Sequence, residues 1–184
     1  MLEHGSAPAE RRRSLEIRRV SGRKLAGLAA PYGALANIGA YQERIAPGAF
    51  AKTLRGPEEV IALFDHGPTR LLARRSTGTL RLSDSAEGLA FEIELPVTTA
   101  GNDALALAER GDLGGASIGF VVREDGESWS GNIRTLTDVG LMEISVVSPW
   151  PAYAETSVEA RRGRMLQAAN TPRRDALRRY LDTV

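Results

Sequence analysis

The sequence predicts a mainly β chain with flanking helices, an α+β domain whose strands form a small closed or half-closed barrel. Three observations carry this expectation. Eight or so short apolar runs are separated by turn-forming residues at close spacing, the pattern of an all-β core rather than of alternating strands and helices. Only two stretches carry helical punctuation. The best-defined run, Leu89 to Leu95, alternates Leu89, Phe91, Ile93 and Leu95 with Ala90, Glu92 and Glu94, which gives one buried and one wet face. The 184 residues suffice for one domain with a proper core. Residues 1–13 read as a disordered lead, 14–158 as the folded domain and 159–184 as a basic, mobile tail.

The lead is Gly-, Ala- and Pro-bearing and ends in Arg11-Arg12-Arg13, a charge run of the kind that is ordinarily solvated. Leu15, Ile17 and Val20 begin the first strand, Ser21-Gly22 turns the chain, and Lys24 to Ala30 forms a second strand that Pro31 stops. Residues 31–50 read as a loop with a short strand at Tyr41 to Ile45. Pro47 suits the first turn of a helix over Gly48 to Leu54, and Gly56-Pro57 ends it. Val60 to Phe64 is a buried strand that delivers Asp65-His66-Gly67-Pro68. Leu71 to Ala73 and Thr79 to Leu82 are further strands, and Ser83 to Gly88 turns into Leu89 to Leu95. Pro96 closes that strand, and Thr98 or Thr99 caps a helix running to Arg110. After Gly111 the chain turns through Asp112, Gly114 and Gly115 into Ala116 to Arg123. Ile133 to Val139 and Leu141 to Val147 complete the set, and Pro149 and Pro151 end it. The tail carries seven arginines against three acids.

Composition excludes several classes. There is no cysteine, hence no disulfide, thiolate metal site or cysteine nucleophile. The net charge of +1 offers no general attraction to nucleic acid or anionic membrane. No apolar run is long enough for a transmembrane helix, and the polar, basic start does not read as a secretory signal. A Gly-Lys-Ser/Thr phosphate loop, a His-Glu-x-x-His zinc helix and a Gly-x-Ser-x-Gly elbow are all missing, the last of which disfavours a small esterase or amidase. No cofactor or metal is expected.

Strand parity singles out a polar pair. In residues 116–122, Ile118, Phe120 and Val122 share one face, and Ser117, Gly119 and Val121 the other. In residues 141–147, Met142, Ile144 and Val146 share one face, and Leu141, Glu143, Ser145 and Val147 the other. The apolar sets are the natural core faces, so Ser117 and Glu143 both fall on faces turned from the core. A hydroxyl at Ser117, among small neighbours, is accessible to a bound chain. A serine becomes a nucleophile when a base takes its proton, imidazole is the natural base, and a carboxylate on the far ring nitrogen fixes the tautomer. The sequence offers Ser117, His66, and Glu143 or Asp138. By residue type alone each has an ordinary alternative: a packing serine, a loop histidine, a surface acid.

Seven pieces, in order, add to this: Arg44 to Phe50 (Arg-Ile-Ala-Pro-Gly-Ala-Phe), Leu63-Phe-Asp-His66, Ser76 to Leu82, Gly88-Leu89 with Leu95-Pro96, Arg110 to Phe120, Leu141 to Val147, and Pro151-Ala-Tyr153. Together they resemble the prohead, or capsid maturation, serine proteases of tailed phages and gene transfer agents, a family related in fold to the herpesvirus assemblins. The resemblance spans roughly residues 25–160. It implies a serine endopeptidase, residues 14–158 being its protease domain, with the nucleophile at Ser117 and the histidine at His66. Assemblins use a second histidine as third member, which this chain lacks; Glu143 takes that place, with Asp138 as runner-up. A larger residue often precedes the family's serine, where this chain has Gly115-Ala116. The implied partners are the major capsid protein with its scaffolding segment, the chain itself by autocleavage, and further copies as a homo-oligomer, with no nucleic acid or membrane. The implied location is the bacterial host cytoplasm, inside the assembling prohead. The alternative is a non-catalytic assembly factor of protease-like fold.

Overall fold

The computed structural model describes residues 9–14 and 16–148. Thirteen strands and two helices follow in order: β1 (Ala9–Ser14), β2 (Glu16–Ser21), β3 (Lys24–Pro31), β4 (Ala36–Ile38), β5 (Tyr41–Ile45), α1 (Ala51–Arg55), β6 (Ile61–Phe64), β7 (Leu71–Arg74), β8 (Leu80–Asp84), β9 (Gly88–Glu94), α2 (Thr99–Arg110), β10 (Gly115–Val122), β11 (Glu127–Ser130), β12 (Ile133–Leu136) and β13 (Val139–Val147). They form three sheets, ordered β1-β10-β13-β6-β7, β11-β12-β5-β4 and β2-β3-β9-β8. The mainly β, α+β expectation matches this arrangement. No closed barrel forms among the described residues: each sheet ends on two edge strands, so the closure that removes edges is not made. The expected tail, 159–184, and the start of the lead lie outside the described residues. No described helix is long and apolar enough to cross a membrane.

The core lies where β10 of the five-stranded sheet meets β2 and β3. Leu25, Leu89, Phe91 and Ile93 come from one side, and Ile118, Phe120, Ile144 and Val146 from the other; all are buried in one cluster with Phe50 and Phe64. Burying side chains of this size contributes about 1.5–3 kcal/mol each. The alternation read in Leu89 to Leu95 is realised in β9, where Leu89, Phe91 and Ile93 are buried and Glu94 is exposed. Thr98 caps α2 by accepting from the Gly101 N–H at 3.2 Å, and Gly111 ends it in the left-handed conformation.

Four elements differ from the sequence reading. The first helix is one turn shorter at its start, beginning at Ala51, with Phe50 as N-cap. The loop over 31–50 contains β4 as well as β5, and β11 adds an unexpected hairpin partner for β12. Both extra strands are short edge strands with half-exposed or exposed residues, so hydrophobic alternation does not mark them. Finally, Ala9–Ser14 is not loose lead but strand, antiparallel to β10, with Arg11 opposite Gly119 and Arg12 opposite Ile118. Ion pairs hold it. Arg12 bonds Glu10 at 2.7 Å and Glu43 at 2.6 Å through Nη2, and sits 5.5 Å over the Phe120 ring. Arg134 bonds Glu10 at 2.7 and 2.8 Å, Glu43 at 3.1 Å and Glu127 at 2.6 Å. Glu43 and Arg134 are both buried. These partners come from β5, β11 and β12, which the charge run alone does not reveal.

Candidate active site

β10 and β13 run antiparallel, with Gly115 opposite Val147, Ser117 opposite Ser145 and Gly119 opposite Glu143. Side chains alternate across a strand, so these residues share the face opposite Ile118, Ile144 and Val146. β6 runs parallel to β13 on its other side, with Leu63 beside Ser145 and Ile61 beside Glu143. Leu63 and Val147 are buried, yet they stand outside the main core cluster, as this face requires.

The parity argument needs one correction. The register shifts between Gly119 and Phe120, so Phe120 pairs with Leu141 and not with Met142. Leu141 therefore enters the core and Met142, expected there, is only half-buried. A bulge of this kind re-aims one strand by one residue, and nothing in the pattern Leu-Met-Glu-Ile announces it. The expected accessibility of Ser117 is also corrected: Ser117 is 2 % exposed and Glu143 1 %.

His66 reaches this face from the end of β6. Asp65 and His66 both have left-handed φ values, 52° and 57°, which non-glycine residues rarely adopt. Surrounding bonds hold the turn. The Asp65 N–H donates to the Val146 carbonyl at 2.9 Å, and Gly67 N–H to Phe64 at 3.0 Å. Asp65 accepts from the Ser148 N–H at 2.7 Å and from its hydroxyl at 3.0 Å. The Arg70 guanidinium stacks 4.1 Å over the Phe64 ring. The reversed backbone turns the imidazole back along β13, and His66 Nδ1 lies 2.7 Å from Glu143 Oε1.

That contact fixes the chemistry of the ring. A carboxylate oxygen accepts, so Nδ1 carries the proton, and in the neutral ring Nε2 presents a lone pair. His66 Nε2 is buried and has no hydrogen-bond partner among the described residues, so no bond from Ser117 is closed in this structure. Glu143 is further approached by Arg11, whose Nε lies 3.3 Å from Oε1. Burial pushes the Glu143 pKa up. The hydrogen bond from His66 and the positive charge of Arg11 outweigh it, and the group stays below its ordinary value. The carboxylate is thus held ionised beside the ring.

Asp138, the runner-up acid, stands elsewhere: it pairs with Lys52 at 2.5 Å and with Arg123 at 3.4 Å. Two residues of this face were given no role by the sequence argument. Arg11 was hidden in a charge run, though its spacing from Arg13 is that of a strand. Ser145 shares the parity of Glu143, and its hydroxyl is buried with no partner among the described residues.

No curated protein and no solved structure matches the chain. A family model does match, over residues 12–171, which is most of the chain and includes His66, Ser117 and Glu143. Its description is caudovirus prohead serine protease, and at this coverage the chain belongs to that family.

Proposed function

We propose that the chain is a serine endopeptidase of prohead maturation, with Ser117 as nucleophile, His66 as general base and acid, and Glu143 as the group that orients His66. The observation that carries this reading is the 2.7 Å contact from His66 Nδ1 to a buried, ionised Glu143. In the neutral ring the opposite nitrogen, Nε2, is the basic one; it has no hydrogen-bond partner among the described residues, and Glu143 shares its face of the sheet with Ser117.

The steps follow. Ser117 Oγ attacks the scissile carbonyl carbon as its proton passes to His66 Nε2. The imidazolium so formed is stabilised by Glu143 across the Nδ1–H bond. Collapse of the tetrahedral species breaks the C–N bond, and Nε2 returns the proton to the leaving amine. Water then attacks the acyl-serine ester by the same relay and restores Ser117. Backbone N–H groups beside the nucleophile stabilise the oxyanion, at about 3–4 kcal/mol per donor. The open Ser117–His66 contact is consistent with an uncomplexed enzyme, in which such bonds tighten on substrate binding. The substrates are the scaffolding segment of the major capsid protein, other internal prohead proteins and the chain itself, inside the prohead.

Co-expression with the capsid protein tests this. Ser117→Ala and His66→Ala each leave the capsid protein full length while melting as the wild type does. Normal processing in either variant overturns the triad. A wild-type chain that binds capsid protein but never shortens it supports the assembly-factor reading instead.

A further inference from the structure

Ser145 is a polar side chain of the site face that the mechanism above leaves unused. It is fully buried, and its Oγ has no hydrogen-bond partner among the described residues. An unsatisfied hydroxyl in such a place is costly and calls for an explanation, a role in catalysis among them. Its neighbours narrow the choice. Across β6 stands Leu63, two residues along is Val147, and across β10 is Ser117. Directly opposed residues of an antiparallel pair hold their Cβ atoms about 4.5–5.5 Å apart. One rotation about each χ1 therefore brings the two hydroxyls into contact.

Ser117 needs such a neighbour. Ala116 precedes it, and Gly115 and Gly119 flank it on its own face without side chains. Nothing on β10 selects among the three staggered χ1 wells of the nucleophile. Only one well aims the hydroxyl proton at His66 Nε2.

We propose that Ser145 is a positioning residue for the nucleophile. Its Oγ–H donates to Ser117 Oγ, which leaves the single Ser117 proton directed to His66 Nε2. The Ser145–Ser117–His66–Glu143 chain then has one donor for each acceptor. On attack, Ser117 loses its proton to Nε2, bonds to the carbonyl carbon and remains an acceptor for Ser145, which transfers no proton itself. The proposal rests on the triad reading.

The test uses the full chain and a fluorophosphonate probe that acylates active serines, with the labelled residue located by peptide mass. Ser145→Ala is expected to slow labelling of Ser117 about tenfold, the weight of one neutral hydrogen bond. Its melting temperature is expected to hold or rise, because the change removes a buried unpaired hydroxyl. Ser145→Thr and Ser145→Val occupy nearly the same volume and differ in the hydroxyl; Thr should label about tenfold faster than Val. Equal rates in wild type and Ser145→Ala overturn the proposal while leaving the triad intact. So does a loss of rate that runs parallel to a loss of melting temperature in Ser145→Ala, which assigns the hydroxyl to packing. Labelling of the wild type at a residue other than Ser117 overturns the triad itself.

Discussion

Gly119→Ala is the smallest change that should separate folding from catalysis at this site. Gly119 faces Glu143 across the β10–β13 pair. A Cβ added there would stand 2.6 Å from Glu143 Cγ, 3.1 Å from Cδ and 3.2 Å from Oε1. Ordinary carbon–carbon contact is about 3.5–4.0 Å, so the glutamate must retreat by about 1 Å. It cannot do so freely, because it is buried and its Oε1 is held by His66 and Arg11. Gly119 is not among the positive-φ residues, so alanine suits its backbone. Reduced chain entropy alone would make the change stabilising by about 0.4–1 kcal/mol. Overpacking a tight site costs about 1–3 kcal/mol, which leaves a net loss of up to about 2.6 kcal/mol, or up to ~10 °C in melting temperature at this chain length. Activity should fall further, on the order of a hundredfold, since a 1 Å misplacement of a supporting group has that effect. Differential scanning fluorimetry reads the first quantity and capsid-protein cleavage the second. In a Glu143→Ala background the three clashing atoms are gone, so the stability cost of Gly119→Ala should vanish. Wild-type cleavage by Gly119→Ala, or an undiminished stability cost in that background, would refute the reasoning.

The other expectations concern charge. Glu143→Gln should lower cleavage by about four orders of magnitude through loss of the correct tautomer, whereas Asp138→Asn, whose partners are Lys52 and Arg123, should cleave nearly as wild type. Gel analysis of the capsid substrate distinguishes them. Arg11→Ala removes a charge that lowers the Glu143 pKa. The carboxylate must be ionised to orient His66, so activity should fail at a higher pH on acidification than in the wild type, as the acid limb of kcat/KM will show. Arg134→Met strips the buried Glu43 of one of its cationic partners and Glu10 of its two-pronged bond. Urea unfolding should report a loss of about 3 kcal/mol, and amide exchange should rise first in Ala9–Ser14.

Much of the site was legible because strand parity is a local rule. Ser117 and Glu143 could be set on one face from the positions of Ile118, Phe120, Ile144 and Val146. The order of the pieces then tied His66 to them. What parity could not supply was pairing. The bulge that sends Leu141 inward and Met142 outward lies in the β10–β13 register, not in either strand. The strand character of Ala9–Ser14 depends on Glu43, Glu127 and Arg134, all far along the chain. Barrel closure failed for the same reason: counting strands does not reveal which edges meet. The burial of Ser117 was hidden too, since small neighbours signal room on one strand and say nothing of what packs above it.

The left-handed turn at Asp65 and His66 has a kinetic consequence. β10 and β13 are joined through the short β11–β12 hairpin, so serine and carboxylate belong to one locally closing unit. The histidine must arrive from 77 residues away, through parallel pairing of β6 with β13. Contacts of such separation bear a larger loop-closure cost and form late. A full-length chain that is refolding therefore brings Ser117 and Glu143 together before His66 joins them. On the triad reading it gains the ability to cut only once β6 has docked against β13.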